Sequence, residues 1–210
     1  MEEQAQLSAG RFSAWLAETT EARASDGDVA VPCGTCTACC RSSYFIHVGP
    51  EETAARSRIP AALLFAAPGL PKGHQVMGYD ERGHCPMLGE TGCTIYDDRP
   101  QTCRTYDCRI FTAAGLSPLT DGKPAIAERV GRWRFDLPSD ADQVEQAAVR
   151  AAAAFLSERP ECFGEGGPPT SALQLALVAV KAHRAFLRYD DAGRGHLVEP
   201  DVEVVRSALR

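Results

Sequence analysis

Apolar residues recur at helical spacing near the start of the chain, where Phe12, Trp15 and Leu16 fall on one face of the stretch from Ala5 to Ala22. The pattern predicts an amphipathic N-terminal helix that packs on the rest of the molecule. Ser25-Asp26-Gly27-Asp28 interrupts it, and Val29-Ala30-Val31-Pro32 reads as extended chain leading into a new segment. Aromatic and β-branched residues then dominate Tyr44-Phe45-Ile46-His47-Val48, which predicts a short strand. Gly49-Pro50-Glu51-Glu52 follows, with a proline and acids suited to a first helical turn, so a short helix is expected through Arg56.

Pro60 to Gly73 holds three prolines and reads as loop around the apolar Leu63-Leu64-Phe65. Gln75 to Tyr79 and Cys93 to Tyr96 are expected as short strands, set apart by the turn-rich Asp80-Glu81-Arg82-Gly83 and Gly89-Glu90-Thr91-Gly92. Past Arg109, Ala125 to Val130 and Arg132 to Leu137 are expected as strands. A helix from about Ala141 to Ser157 places Val144, Ala148, Ala151, Ala152 and Phe155 on one face. A second opens at Ser171 with Gln174 three residues on, a capping-box signature, and runs to about Arg188. Glu161 to Pro169, rich in Gly and Pro, joins the two, and Glu199 to Leu209 adds a last short helix.

Composition narrows the class. The chain has 210 residues, 44% hydrophobic and 24% charged, the balance of one globular domain or of a domain with a small appendage. Met1-Glu2-Glu3-Gln4-Ala5-Gln6-Leu7 has neither the basic nor the apolar region of a secretory leader, and no apolar run reaches the roughly 18 residues of a membrane span. The expectation is a soluble, cytoplasmic protein without a membrane partner. A net charge of −6 disfavours nucleic acid as a partner. From Cys33 to Arg109, eight Arg or Lys face eight Asp or Glu, so ionised thiols there would need bound cations for balance.

Nine cysteines in a reducing compartment point to metal ligation or redox chemistry rather than to disulfides. Eight of them lie in Cys33-x-x-Cys36-x-x-Cys39-Cys40, Cys85, Cys93, Cys103 and Cys108. A Cys-x-x-Cys loop converges two thiolates on one metal corner, and sulfur donors suit zinc and iron-sulfur clusters. A thioredoxin-like dithiol would need one such loop and leave six cysteines unexplained. Were the backbone at Cys39-Cys40 extended, the two side chains would point to opposite faces and serve different sites, or leave one thiol reactive. Eight thiolates could form two zinc sites of four. Alternatively Cys33, Cys36 and Cys39, with Cys85-Pro86 as the distant donor, match the ligand run of a cubane cluster.

The order of motifs resembles the YkgJ-like, or CxxCxxCC, family of zinc- or iron-chelating proteins. The shared features are the Cys33 to Cys40 run, Gly83-x-Cys85-Pro86-x-Leu88, Cys93-x-Ile95-Tyr96, and Arg99-Pro100-x-x-Cys103-Arg104 with Cys108 behind it. The likeness covers roughly residues 31 to 110 and implies metal ligands at Cys33, Cys36, Cys39, Cys40, Cys85, Cys93, Cys103 and Cys108. Arg99, Arg104 and Arg109 could offset thiolate charge or pair with Asp97, Asp98 or Asp107. His47, His74 and His84 are supplementary ligand candidates, His84 foremost, although an ordinary histidine role is favoured for each. Tyr44, Tyr96 and Tyr106 are expected to pack around the site, and Cys162 to be a lone thiol outside it.

The resulting expectation is an α+β fold: a small loop-rich, metal-stabilised cysteine-cluster core with short strands, packed by N- and C-terminal helices. Its segments are 1–30, the N-terminal helix; 31–112, the cysteine cluster; and 113–210, mostly helical and forming one compact unit with the core. The function expected is metal binding, by zinc or an iron-sulfur cluster, in a structural, redox or metal-handling role. Two alternatives stand beside it. One is an enzyme related to the flagellin lysine N-methylases, which share a similar cysteine cluster; the other is a zinc-stabilised module for a protein partner. No Ser/His/Asp set, paired carboxylates or phosphate-cradling glycine loop supports the enzyme.

Overall fold

The N-terminal apolar stretch splits between two elements. In the computed structural model, which describes residues 5–25, 27–164 and 166–210, Leu7–Arg11 is a strand and the helix begins only at Phe12 and ends at Ala24. The leader reading at Met1 to Gln4, the pattern break at Asp26 and Glu165 of the glycine-rich connection lie outside the described residues. The chain is α+β and forms two compact units, one of residues 1–21, 108–122 and 127–210, the other of 22–107 and 123–126.

In the first unit, Leu7–Arg11 pairs in parallel with Trp133–Asp136, with an irregularity between Ser8 and Gly10. The expected strand at Arg132 to Leu137 thus forms. Its partner was masked by the helical pattern, because Phe12, Trp15, Leu16 and Thr19 are indeed the buried face of the helix that follows. Phe12 and Trp15 close on Phe135 with ring centroids 5.0 Å away in each case. Asp142 ties these pieces together. Its buried carboxylate accepts from Arg11 Nε at 3.0 Å and from the Ser13 amide at 3.0 Å, and it completes a capping box with Ser139 at the start of the helix Asp140–Glu158.

That helix packs on Ala172–Ala182. Ala148, Ala152 and Ala153 on one and Ala176, Ala179 and Ala182 on the other are all buried, and such small side chains let helix backbones approach closely. The second helix stops at Ala182, short of Arg188. The chain tightens into a 3-10 turn over His183–Phe186 and then forms a hairpin, Leu187–Tyr189 against Gly195–Leu197. Asp190 makes the reversal, its Oδ1 accepting from the amides of Ala192 and Arg194 at 3.0 and 2.8 Å. The last helix is Val202–Leu209.

Residues 125–130 are helical rather than extended. Pro124 opens a helix that runs to Arg132, and Ile126 and Val130, four apart, are its buried positions. A proline pre-set for the first turn overrides the weak strand propensity of the segment. Arg109–Ala114 is a further helix, closed by Gly115 in the left-handed conformation at φ +69°.

The second unit is built on a three-stranded antiparallel sheet with Gln75–Met77 between Ile46–Val48 and Leu64–Ala66. Leu64–Ala66, expected as loop, fits as an edge strand because Pro60 and Pro68 flank it without entering it. The helix expected after Pro50 runs over Thr53–Arg58. Val48, Ala55, Ile59, Met77, Met87 and Ile95 make the apolar core here, with Cys85 and Cys93 packed against it. Instead of a strand from Cys93 to Tyr96 there is only the two-residue ladder Leu88–Gly89 with Gly92–Cys93, after which the chain turns.

Asp142 predicts an acid-side stability loss. Burial alone would raise its pKa, but the bonds from Arg11, Ser13 and Ser139 outweigh burial and hold it well below the usual carboxylate range. A depressed folded-state pKa contributes stability that is complete above the unfolded value of about 3.9 and fades as pH falls through the folded one. Denaturant midpoints followed from neutral pH to below pH 4 should fall, and Asp142→Asn should flatten that fall. Ser139→Ala should cost about 1 kcal/mol at neutral pH through the lost cap.

Candidate metal centre

Seven of the eight clustered cysteines belong to the second unit, and a pair of backbone bonds fixes the relation of their two sequence groups. Cys39–Arg41 forms a 3-10 turn, followed by Ser43 in the left-handed region at φ +51°. The Cys85 amide donates to the Cys40 carbonyl at 2.7 Å, and the Ser43 amide donates to the Gly83 carbonyl at 2.9 Å. Gly83 is required twice over. Its φ of +79° is left-handed, and a Cβ there would stand 2.3 Å from Ser43 Oγ. The first group of cysteines is thereby latched to the second, across more than forty residues of chain.

The other donors arrive on equally short pieces. Cys33 and Cys36 close their own turn, the Cys36 amide donating to the Cys33 carbonyl at 3.0 Å, with Gly34 left-handed at φ +56° between them. Cys93 sits on the two-residue ladder opposite Leu88. Cys103 lies in the helix Gln101–Arg104, which Glu52 anchors: its carboxylate accepts from the Gln101 amide at 2.5 Å and from the Gly49 amide at 2.7 Å. Thr102 Oγ1 adds a bond to the His47 carbonyl at 3.1 Å. The acids of Gly49 to Glu52 suit their own helix in sequence, and nothing local announces that Glu52 caps another element.

Electrostatics show which sulfurs share a neighbourhood. The Cys103 thiol is pushed up to about 12, first by burial and then by the nearby Cys39, Cys85 and Cys93, with Arg99 working in the opposite sense. Cys85 is raised by burial and by Cys93 and Cys39, although the Met87 amide bonds to it and favours the thiolate. Cys39 is raised furthest, first through a side-chain hydrogen bond with Cys40, then by desolvation. The condition under which Cys39 and Cys40 would face apart, an extended backbone, is not met: the backbone is a 3-10 turn there, and neighbouring side chains on such a turn can meet. The group brought together is therefore Cys39, Cys40, Cys85, Cys93 and Cys103.

Cys108 lies in the first unit, at the start of Arg109–Ala114, where it is buried and accepts a hydrogen bond from the Trp133 indole at 3.2 Å. Cys162 is buried in that unit too, in a 3-10 turn rather than an open connection. Arg104 pairs with Asp28 at 3.0 Å. Arg99 stacks over the exposed Tyr96 ring, and Arg109 is buried in the first unit, donating to the Ala9 carbonyl. Tyr44 and Tyr106 are ring neighbours. His47 and His74 are hydrogen-bonded to each other at 2.9 Å, and His84 anchors its loop through the Asp80 carboxylate.

The donor chemistry fits a thiophilic metal: soft sulfur comes from four separate segments, and at Cys39, Cys85 and Cys103 the neutral thiol is favoured until a cation compensates the charge. Among the described residues, no three His, Cys, Asp or Glu side chains stand ready as the ligand set of one ion, so ligation would have to draw these sulfurs closer.

The cysteine-bearing segment is the part of the chain that resembles a known family. Residues 32–116 match the CxxCxxCC family, described as "Putative zinc- or iron-chelating domain". The match takes in every clustered cysteine and less than half of the chain. Neither a curated protein nor a solved structure matches it. Among the described residues no helix is long and apolar enough to cross a membrane.

Gly83→Ala should disturb the latch. The left-handed φ and the clash with Ser43 together predict a loss of roughly 1–3 kcal/mol. Denaturant unfolding, with hydrogen exchange at the Ser43 and Cys85 amides, measures it; unchanged exchange at both amides would contradict the latch.

Proposed function

We propose that the second unit chelates a thiophilic metal, as zinc or as an iron-sulfur cluster, with donors drawn from Cys33, Cys36, Cys39, Cys40, Cys85, Cys93 and Cys103. The observation that carries this reading is the backbone bond that sets Cys85 against the turn of Cys39 and Cys40, with Cys93 packed on the same small apolar core as Cys85. The match to a zinc- or iron-chelating domain supports it. None of the nine cysteines is in a disulfide, which suits a reducing compartment such as the cytoplasm.

Bound zinc would supply a cross-link among loops, and a cluster would supply one-electron exchange as well. The chain's own residues prepare the site. Gly83 and Ser43 set the backbone, Glu52 fixes the helix of Cys103, and the Met87 amide donates to the Cys85 sulfur. The apolar core beneath Cys85 and Cys93 keeps water from one side of both. A structural role follows directly, because a unit of short strands and loops gains folding free energy from each ligand bond.

Metal analysis and visible absorption of anaerobically purified protein test the reading and separate its two forms. Colourless protein with stoichiometric zinc identifies a zinc site, whereas visible absorption with acid-labile sulfide identifies a cluster. Chelation should lower the melting temperature. Cys85→Ser should lose metal, and Cys162→Ser should keep the full complement. Protein that holds neither metal, and that melts identically with and without chelator, would refute the proposal.

A further inference from the structure

We infer that Lys123 is a positioning residue for the thiol site, acting through the backbone of Ser42 and Ser43. This rests on the metal-binding reading for its consequence but not for its geometry. Lys123 lies beyond residue 116, where the family match ends, in the short return segment that belongs to the second unit. Its Nζ donates to the Ser42 carbonyl at 2.6 Å and to the Ser43 carbonyl at 3.3 Å, and stands 4.6 Å from the centre of the Tyr44 ring. An ammonium group with three donors suits this place, since two successive carbonyls converge there and an aromatic face completes the seat.

The need for such a group follows from the turn. Ser43 is the only non-glycine residue with positive φ among the described residues, at φ +51°. That conformation is strained for a residue bearing a Cβ. Ser42 is buried, so its carbonyl would lack compensation if the ammonium were removed. Charge-assisted bonds from Lys123 therefore stabilise the one turn that sends the Ser43 amide to Gly83 and, two residues on, brings Cys85 against Cys40. The contacts of Lys123 are to two carbonyls and an aromatic ring, so its influence on the sulfurs passes through this backbone.

The test compares full-length wild type, Lys123→Met and Lys123→Arg in two measurements. In metal-free protein, Lys123→Met should speed amide exchange at Ser43 and Cys85 by roughly tenfold or more, the scale set by losing a hydrogen bond to a charged group. The amides of Trp133–Asp136 report on general unfolding and should not change. In protein loaded with Co(II), Lys123→Met should shift the thiolate charge-transfer and ligand-field bands and hasten transfer of the ion to a chelator, and Lys123→Arg, which can still donate to two carbonyls, should restore most of both. Unchanged exchange at Ser43 and Cys85 would overturn the inference, as would faster exchange with an unaltered Co(II) spectrum and transfer rate. Wild type that takes up no Co(II) through thiolates would defeat the metal-binding reading and the lysine's role in it, leaving exchange to decide whether the turn itself depends on Lys123.

Discussion

The bond from the Cys85 amide to the Cys40 carbonyl is the contact on which the thiol site depends. A cysteine side chain is short and has a single rotatable bond before its sulfur, so it cannot search for partners as a lysine or glutamate can. Sulfurs from distant segments meet only where their backbones have already been placed side by side. Here that placement is made by two amide-carbonyl bonds and by a glycine whose left-handed backbone suits the turn. The same latch explains why the turn at Cys39–Arg41 leads straight into a strained residue.

Crowding thiols in this way has an electrostatic consequence. Neighbouring sulfurs make Cys39, Cys85 and Cys103 harder to ionise, and burial acts in the same direction on all three. The metal-free arrangement is tolerable because the thiols can stay neutral, and it offers a cation several donors in one region. It also means that the scaffold must stand without help from sulfur. Charged side chains supply part of that help, and they act on the backbone rather than on each other. Glu52 accepts from two amides, and Lys123 donates to two carbonyls.

How far this could be read in the sequence depended on the range of the interaction. Cysteine spacing, the Ser171 cap that opens Ala172–Ala182 and the buried face Phe12, Trp15, Leu16 are local patterns, and they were legible. The grouping of Cys85 with the first cysteine run was also within reach, because Gly83 beside a Cys-Pro pair suggests close backbone approach. What could not be read was set by distant partners. Leu7–Arg11 becomes a strand only because Trp133–Asp136 is there to pair with it, and Leu64–Ala66 because Gln75–Met77 is. The meeting of Cys39 with Cys40 turned on a backbone conformation that the residues alone left open. Glu52 and Lys123 carry no signal at all, since a glutamate near a helix start and a lysine before a proline have ordinary local explanations.

Asp142 and Glu52 make the same physical choice in the two units and show why it recurs. Each carboxylate accepts from backbone amides of two segments that are far apart in sequence, Ser13 and Ser139 for the first, Gly49 and Gln101 for the second. An ionised oxygen is a stronger acceptor than a carbonyl and can serve two amides at once, so one side chain can fix a junction where no regular ladder runs. In the first unit this supplements an extensive interface of small buried side chains. In the second the apolar core is six buried residues, so such junctions carry a larger share of the order. Metal ligation, on the reading proposed, adds to a scaffold that hydrogen bonds have already arranged: the backbone decides which sulfurs meet, and the cation decides how tightly they are held.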